Sequence, residues 1–408
     1  MVNEALVVLN KFAKSIPDIF MGPDRTGYIL ENIQHLSVEE RSLLIEFVNH
    51  ILTVMIDRGA SDIEVGGPGA ANYIWFRIQG NKQRVKDLPN LRNDEAAALI
   101  AVILNKNQHR HLMVNRNLDF SYTFKHQRLN HYVRFRADAY FDLDCLTLNM
   151  RAISNTIRPL EALEFHSYAI QTMSHQYIKF GLSLVTGITG SGKSSTLDSI
   201  INYHNLVDPC HIIVVASPIE YVHQSNMCII KHREIGRDVL SFKEGVAQAL
   251  RQDPDIVVIG EMRDPETILA TLEVADTGHK VFSTLHTSSA IESIDRIIAE
   301  VSPVEQDRVR MRLADVLVSV ISQKLVPGVE GNLVLAKEVL VVTPSVKAAI
   351  KNNNTSEIYL MMNQGGQLGM TTMEQDLVRL YQQRKISKDN MIAFANNKNR
   401  ILQLFKAV

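Results

Sequence analysis

The chain lacks several features that would place it in a special class of protein. No run of apolar residues approaches the roughly 18 needed to cross a bilayer. The first eleven residues have only a short apolar core, preceded by Glu4, unlike a secretory signal. The three cysteines show no CxxC spacing and are odd in number, which argues against a structural zinc site or a disulfide framework. We therefore expect a cytoplasmic protein whose cysteines act as small buried hydrophobic residues.

The chain also lacks an excess of charge of either sign. Lysine and arginine total 43 against 44 aspartate and glutamate residues, which gives a formal net charge of -1. The average composition therefore offers no basic field for nucleic acid, and this disfavours a DNA or RNA translocase. With 46% hydrophobic and 21% charged residues over 408 positions, the composition predicts a globular protein of two or three domains.

One stretch carries a specific chemical signal. Residues 187–194 read Gly-Ile-Thr-Gly-Ser-Gly-Lys-Ser, the pattern GxxxxGK[ST], with a strand-like run before it and a helix-compatible run after it. In this setting the glycines let backbone N–H groups face phosphates, and the helix N-terminus adds its positive end. We predict that Lys193 is a catalytic residue that binds the β- and γ-phosphates of a nucleotide and that the Ser194 hydroxyl ligates Mg²⁺. The alternative is a turn rich in glycine and serine that binds no ligand. The predicted phosphate-binding residues are Gly187, Thr189, Gly190, Ser191, Gly192, Lys193, Ser194 and Ser195.

Two further strand ends carry candidate catalytic groups. The apolar run 256–259 leads through a glycine into Glu261, a carboxylate placed to act on Mg²⁺ or on its bound water, as in a Walker B motif. The run 281–284 leads into His286, which threonines flank and which can sense the γ-phosphate through hydrogen bonds. We predict catalytic roles for both residues and a metal-binding role for Glu261.

The order of elements predicts two kinds of domain. Strand-like pieces mixed with helices favour a small α+β domain, in which a capping box at Ser37 and Glu40 begins the first helix. Short apolar runs that alternate with helical stretches favour parallel βαβ units with ligands at the carboxyl ends of the strands. The predicted divisions are an extension of unknown role with one helical segment (1–36), the α+β domain (37–153), a linker (154–164), the α/β domain (165–345) and a helical C-terminal region (346–408).

Basic residues share one face of a predicted strand in the α+β domain. The two-residue period places Arg134, Arg136 and Asp138 on one face and apolar residues on the other. An exposed basic face is usually only solvated. It also suits a set of cations that an adjacent subunit offers to a phosphate.

Over residues 50–408 the chain resembles the type IV pilus retraction ATPases of the secretion-ATPase superfamily. The resemblance implies a homohexamer whose subunits join a PAS-like N-terminal domain to a RecA-like motor domain with a parallel-rich sheet, and which bind ATP between these domains. It also implies phosphate contacts from Arg134, Arg136 and Arg151, although the residues around Arg151 depart from the family's pattern. The matching blocks, in the same order, are 187–196, 218–223, 251–255, 260–264 and 284–296.

The resemblance further implies a mechanical role. ATP hydrolysis in that family drives domain rotation around the ring and acts on an inner-membrane platform protein, so that the pilus disassembles. The expected location is therefore cytoplasmic and peripheral to the inner membrane, with no nucleic-acid partner. The assembly branch usually carries a four-cysteine zinc module in its motor domain, and the absence of that module here favours the retraction branch.

The chain departs from the family at two places. Where the family has Ile-Glu-Asp-Pro-Ile-Glu, residues 215–220 read Val-Ala-Ser-Pro-Ile-Glu, so that Ala216 replaces the glutamate credited with activating water. Loss of such a group costs a factor of about 10² to 10⁴, so hydrolysis is expected to be slow unless Glu261 or the catalytic candidate Glu220 compensates. The second departure is at 345–352, where lysines replace arginines and cannot make the same bidentate contacts.

Three functions stay open at this point. The first is a hexameric ATP-driven motor of the retraction type, which the intact blocks at 260–264 and 284–287 favour. The second is an accessory ring subunit that binds ATP, hydrolyses it poorly and works beside an active paralogous ATPase, which the altered box at 216–217 favours. The third is a nucleic-acid translocase, which salt-sensitive DNA binding would revive.

Overall fold

The computed structural model describes residues 2–153 and 156–406, which form two compact units. The first unit contains residues up to 153 together with the short segment 217–221, and the second contains the remainder. Within the described residues, no helix combines the length and the apolar character that spanning a membrane requires. The finer divisions predicted at 37, 154, 165 and 346 stay predictions, and part of the predicted linker lies outside the described residues.

The first unit consists of one antiparallel sheet and a layer of helices. Its strands are β1 (Ala60–Gly66), β2 (Trp75–Ile78), β3 (Asn81–Arg84), β4 (Asn117–His126), β5 (His131–Asp142) and β6 (Cys145–Ile153). They pair in the order β3-β2-β1-β6-β5-β4. The helices are α1 (Val2–Lys14), α2 (Gly22–Asn32), α3 (Val38–Asp57), α4 (Asn93–Val102) and α5 (Lys106–Asn115), with 3₁₀ turns at Ile33–His35 and Pro68–Ala70.

Sequence periodicity accounts for the core of this unit. Val133, Phe135 and Ala137 point inward from β5 and are buried, as the two-residue alternation predicts. The capping box at the start of α3 is also confirmed, because the Glu40 N–H donates to Ser37 Oγ at 3.1 Å and the Ser37 N–H donates to Glu40 Oε2 at 3.0 Å. The apolar face of α3 packs on the sheet within the same buried cluster.

The extension before α3 contains two α-helices, so the prediction of one helical segment is wrong. Gly22 and Pro23, residue types that usually interrupt a helix, form the first turn of α2. Proline is tolerated there because its missing N–H is one that a first turn leaves unpaired anyway. Leu9 of α1 and Ile29 of α2 are buried in the same core as the sheet. These helices are therefore part of the first unit.

The second unit is built on a seven-stranded sheet that is parallel except at one edge. Its strands are β7 (Gly181–Thr186), β8 (His211–Ala216), β9 (Ile229–Glu234), β10 (Ile256–Ile259), β11 (Lys280–Leu285), β12 (Leu317–Pro327) and β13 (Leu333–Val341). They pair in the order β13-β12-β7-β11-β10-β8-β9, and only the β12–β13 pair is antiparallel. The predicted α/β fold with a parallel-rich sheet, preceded by a smaller α+β domain, is confirmed.

The helices of this unit are α6 (Ser167–Met173), α7 (Lys193–Val207), α8 (Phe242–Ala249), α9 (Pro265–Asp276), α10 (Ala290–Glu300), α11 (Gln306–Val316), α12 (Pro344–Lys351), α13 (Ser356–Gln364), α14 (Met373–Gln382), α15 (Lys388–Ala393) and α16 (Lys398–Lys406), with 3₁₀ turns at Leu160–Leu163 and Gly366–Leu368.

A lysine is buried at the start of β11. The Lys280 side chain is fully buried, and its Nζ donates to the carbonyl oxygens of Thr172 at 2.8 Å and Ile178 at 3.1 Å. Removal of the ammonium from water disfavours its charged form and lowers the pKa of Lys280 to about 7. Protonation of this group is therefore coupled to folding of the second unit.

We expect the second unit to become more stable as the pH rises from about 7 toward 10.5, the ordinary pKa of lysine. In that window the unfolded chain binds a proton at Lys280 that the folded chain does not, so stability rises with pH. Thermal unfolding followed by circular dichroism at several pH values should show that Lys280→Met has a weaker pH dependence than the wild type. Lys243→Met, which alters an exposed lysine, is the control. Equal pH dependence in the wild type and Lys280→Met would contradict this expectation.

Candidate nucleotide-binding site

The loop 187–194 lies between a central strand and a helix. Every residue of β7 is buried, and the strand has parallel neighbours on both sides, β11 and β12. Gly192 has φ +86° and forms the N-cap of α7, whose first helical residue is Lys193. The first turn of α7 therefore places its N–H groups and the positive end of the helix dipole beside the loop, a setting suited to a phosphate group.

The first glycine of the loop is required by a close approach of the backbone. Gly187 has φ +150°, and a Cβ at this position would lie 2.5 Å from the carbonyl oxygen of Gln323 and still closer to Ser191 Oγ. Any larger residue would push the loop away from β12. The pattern of the sequence motif therefore has a steric cause in this fold.

Two side chains of β12 form hydrogen bonds with the loop and with the end of β7 that precedes it. The sequence motif did not predict these contacts. The Gln323 side-chain amide donates to the carbonyl of Ser191 at 2.7 Å, and the hydroxyls of Ser322 and Thr186 lie 2.7 Å apart. Within the described residues, the buried Ser191 Oγ and Gln323 Oε1 have no hydrogen-bond partner. A buried hydroxyl in this state is suited to a ligand that brings its own acceptor atoms.

The predicted phosphate-binding side chains differ in exposure. Lys193 is buried, and its Nζ donates to the carbonyl oxygens of Gly187 at 2.8 Å and Ile188 at 3.1 Å. Thr189, Gly190, Ser194 and Ser195 are exposed on the loop and on the first turn of α7. The loop thus combines one buried cation with a row of accessible hydroxyl and N–H groups.

The structure brings Glu261 and His286 together at the carboxyl edge of the sheet. Glu261 follows β10, and its Oε1 lies 2.7 Å from Arg263 Nε. Its Oε2 lies 3.6 Å from Nε2 of His286, which follows the adjacent strand β11. The Thr284 hydroxyl donates to the carbonyl of Gly260 at 2.6 Å and so fixes the turn that aims Glu261.

The charge of Lys193 reaches the imidazole of His286. Burial and then the Lys193 ammonium lower the pKa of His286, while Glu261 acts in the opposite direction. The imidazole is therefore held in its neutral form at neutral pH, in which one ring nitrogen donates and the other accepts a hydrogen bond. The charges of Lys193 and Glu261 thus both act on the pKa of His286.

Ala216 lies next to Gly260, the residue before Glu261. It ends β8, which pairs in parallel with β10, and the Gly260 N–H donates to the carbonyl of Val215 at 2.8 Å. A Cβ at Gly260 would lie 2.9 Å from the Ala216 Cβ. A longer side chain at position 216 would therefore extend from a point next to the Gly260–Glu261 turn.

The predicted arginines and Glu220 belong to the first unit. Arg134 donates from Nε to the carbonyl of Ile219 at 2.6 Å and from Nη2 to Ser121 Oγ at 2.7 Å. Arg136 faces Arg151 across the β5–β6 pair, and its Nη1 lies 3.6 Å from Glu220 Oε1. Because both members of the Arg136–Glu220 pair are well exposed, this ion pair contributes at most about 1 kcal/mol to stability.

Arg151 is held by a separate acid. Its Nε donates to Asp62 Oδ1 at 2.8 Å, and the aspartate is buried while most of the guanidinium stays exposed. The structure therefore brings Arg136 and Arg151 together on one face of the sheet. It groups Glu220 with these arginines, whereas Lys193, Glu261 and His286 belong to the second unit.

A histidine–aspartate pair ties the segment after Glu220 to the helix of the phosphate loop. His223 Nε2 lies 3.0 Å from Asp198 Oδ1 on α7, and the His223 N–H donates to His232 Nε2 at 3.1 Å. The sequence block 218–223 contains His223, but only the fold places it against α7. Sequence reasoning therefore missed a residue that positions this connection.

Comparison with known proteins identifies the family. Residues 37–399 match the profile of the type II/IV secretion system proteins. The chain belongs to this family. It is similar to the type IV pilus retraction ATPase PilT of Pseudomonas aeruginosa, with 36% identity over 343 residues that cover 84% of this chain and 96% of the relative. It is also similar to the type IV pilus ATPase PilU of the same organism, with 31% identity over 359 residues that cover 87% of this chain and 90% of the relative.

Solved structures of type II/IV secretion system proteins share the fold. The crystal structure of the pilus retraction motor PilT with bound ADP has a TM-score of 0.76 to this chain at 33% identity, and the match covers 86% of this chain and 98% of that one. The resemblance that the motif blocks indicate is therefore confirmed over most of the chain. The roles of the individual site residues stay predictions.

We expect Lys193→Met to raise the pKa of His286, because it removes a positive charge that disfavours the imidazolium. Modification of His286 by diethyl pyrocarbonate, mapped by mass spectrometry across a pH series, reports the neutral fraction of the imidazole. Lys243→Met is the matched control, since this exposed lysine contacts Glu266 instead. An unchanged titration of His286 in Lys193→Met would show that the two groups are not electrostatically coupled.

Proposed function

We propose that this chain is an ATP-hydrolysing motor of the type IV pilus retraction class. The observation that carries the proposal is the coupled group of Lys193, Glu261 and His286 at the carboxyl edge of a parallel sheet, beside a helix N-terminus. Such an edge is where α/β proteins bind nucleotides. Similarity to PilT over most of both chains favours retraction over other tasks of secretion ATPases.

The residues present fit ATP and Mg²⁺. The positive φ angles of Gly190 and Gly192 and the first turn of α7 suit a backbone that wraps phosphates. The buried Ser191 hydroxyl lacks a partner within the described residues, as expected for a group that meets a phosphate oxygen. Ser194 and Glu261 would supply the oxygen ligands that Mg²⁺ prefers. When bound, the ion would neutralise charge on the phosphates.

We assign the chemical roles as follows. Lys193 holds the β- and γ-phosphates, and Glu261 acts on the metal or on its bound water. His286 senses the γ-phosphate, because a neutral imidazole both donates and accepts hydrogen bonds. Arg134, Arg136 and Arg151 offer guanidinium groups to the phosphates of a nucleotide bound between domains, as in the family that the sequence resembles.

We further propose that hydrolysis is slow. Ala216 cannot accept a proton, and it lies at the carboxyl edge next to Gly260, the residue before Glu261. Glu220 is the remaining acid of the box, and it lies 3.6 Å from Arg136 in the first unit. This arrangement gives weight to a second function, that of an accessory ATP-binding ring subunit that works with an active paralogue.

The proposed assembly and partners follow from the family resemblance. We propose a homohexamer that works in the cytoplasm at the inner membrane and acts on the membrane platform protein of the pilus. ATP binding and hydrolysis would rotate the two domains of each subunit around the ring. An active paralogous ATPase is an additional partner if the accessory function holds.

We expect the purified protein to form hexamers and to release phosphate from ATP at a measurable rate. Lys193→Ala should abolish turnover, because it removes the cation that neutralises the phosphates. Light scattering after size exclusion reports the assembly, and a coupled phosphate assay reports the rate. Lys243→Ala is the control for loss of a lysine that the proposed site does not use. Wild-type turnover equal to that of Lys193→Ala would instead support the accessory function.

The double substitution Ala216→Glu, Ser217→Asp tests the proposed attenuation. We expect turnover to rise by about 10-fold or more, since a positioned base contributes a factor of about 10² to 10⁴. The neutral pair Ala216→Gln, Ser217→Asn adds the same bulk without a carboxylate and should give no comparable gain. Steady-state rates at saturating ATP make the comparison. No gain from the acidic pair would mean that the native site is not limited at this position.

A further inference from the structure

Two of the three cysteines face each other in the second unit. The Sγ atoms of Cys210 and Cys228 lie 3.1 Å apart, and both residues are buried, at 7% and 1% exposure. Their burial agrees with the prediction from the sequence, whereas Cys145, predicted to be buried as well, is half-buried. Their pairing was not predicted, because 17 residues separate them and they form no recognisable motif.

The pairing is built into the sheet. Each cysteine is the residue before a strand, and β8 and β9 are parallel neighbours with His211 opposite Ile229. The Ile229 N–H donates to the carbonyl of Cys210 at 2.9 Å, which fixes the two chains in this register. Neighbouring strands run about 5 Å apart, within the span of about 4.4 to 6.8 Å that a disulfide bridges between Cα atoms.

A second contact holds Cys228 from the side of α7. The Asn205 Oδ1 accepts hydrogen bonds from the N–H groups of Asn226 at 2.9 Å and Cys228 at 3.3 Å. The Asn205 side-chain amide donates to the carbonyl of Gln224 at 2.8 Å. Closure of a disulfide would therefore join positions that the backbone already holds, with little movement of the chain.

The surroundings favour thiol chemistry over metal binding. Across residues 2–153 and 156–406, no group of three or more histidine, cysteine or acidic residues is placed to hold a metal ion. A hydrogen bond from the Cys210 thiol lowers the pKa of Cys228, and the same contact raises the pKa of Cys210. This contact favours Cys228 over Cys210 as the sulfur that ionises, while burial raises the pKa of both thiols and the Cys228 thiol also donates to the carbonyl of Asp208 at 3.0 Å.

We propose that Cys210 and Cys228 are a redox modification site at which a peroxide closes a reversible disulfide. The Cys228 thiolate attacks one peroxide oxygen, the O–O bond breaks, and the products are a sulfenic acid and hydroxide, which takes a proton to become water. Cys210 then loses its proton and attacks the Cys228 sulfur, and the sulfenic hydroxyl leaves as a second water. Two thiols and one peroxide thus give one disulfide and two waters.

Closure would act on a functionally placed part of the chain. Between the two cysteines run β8, Ala216 and the segment 217–221, which the structure groups with the first unit. A disulfide between Cys210 and Cys228 would covalently join the two ends of the chain that contains this segment. Disulfides in reducing compartments are usually transient and redox-sensing, which suits a site of this kind.

The test treats the full-length protein with hydrogen peroxide, blocks remaining thiols with iodoacetamide and maps peptides by mass spectrometry without reduction. We expect a peptide pair joined through Cys210 and Cys228, absent in Cys210→Ser and Cys228→Ser and restored to free thiols by dithiothreitol. Cys145→Ser, which alters the cysteine of the first unit, should form the same link. Amide hydrogen exchange over residues 217–227 should slow several-fold on oxidation and recover on reduction.

Two results would overturn the proposal. One is oxidation of Cys228 to the sulfinic acid with no joined peptide, and the other is recovery of both Cys210 and Cys228 as free thiols after peroxide treatment. Because the wild-type peptide map needs no substitution, a folding defect in either serine variant leaves the test decisive. Alanine variants of the same cysteines then serve as the negative controls.

Discussion

The close approach of the loop backbone to β12 at Gly187 is the constraint on which the rest of the second unit depends. Gly187 has no Cβ, which would lie 2.5 Å from the carbonyl oxygen of Gln323. The loop can therefore turn directly after β7, and Lys193 begins the first turn of α7. That turn sets where a phosphate would sit. The adjacent strands β10 and β11 then bring Glu261 and His286 to the same edge, within reach of the lysine charge.

The carboxyl edge of the sheet carries most of the charged groups that the sequence predicts for the site, but not an acid at position 216. The chain keeps the cation, the strand-end carboxylate and a histidine held neutral by burial and by the neighbouring ammonium. It lacks an acid at position 216, which lies next to Gly260, the residue before Glu261. Binding and hydrolysis therefore depend on separable groups, since phosphates need the loop and the helix terminus while water activation needs a correctly placed base.

Much of the fold was predictable because local pattern and final position agree. The apolar runs 182–185, 212–215, 256–259 and 281–284 lie within strands of the parallel sheet, and the alternation in β5 matches its burial. The features of the site that the sequence did not predict are contacts between residues far apart in the chain. Ser322 contacts Thr186 and Gln323 contacts Ser191, in each case more than 130 positions earlier, and Asp198 meets His223 across 25 positions of the chain. Pro23 does not prevent α2 from forming, because the first turn of a helix tolerates proline.

The position of β9 at the end of the sheet has a consequence for assembly. An edge strand presents N–H and C=O groups that can pair with a strand of another molecule and lead to aggregation. β9 carries Lys231 and Arg233 along its length, and Arg233 donates to the side chain of Gln248 at 2.8 Å. Strand-to-strand association would have to bring these cations against a neighbour. The cations on β9 therefore disfavour aggregation through this edge of the sheet.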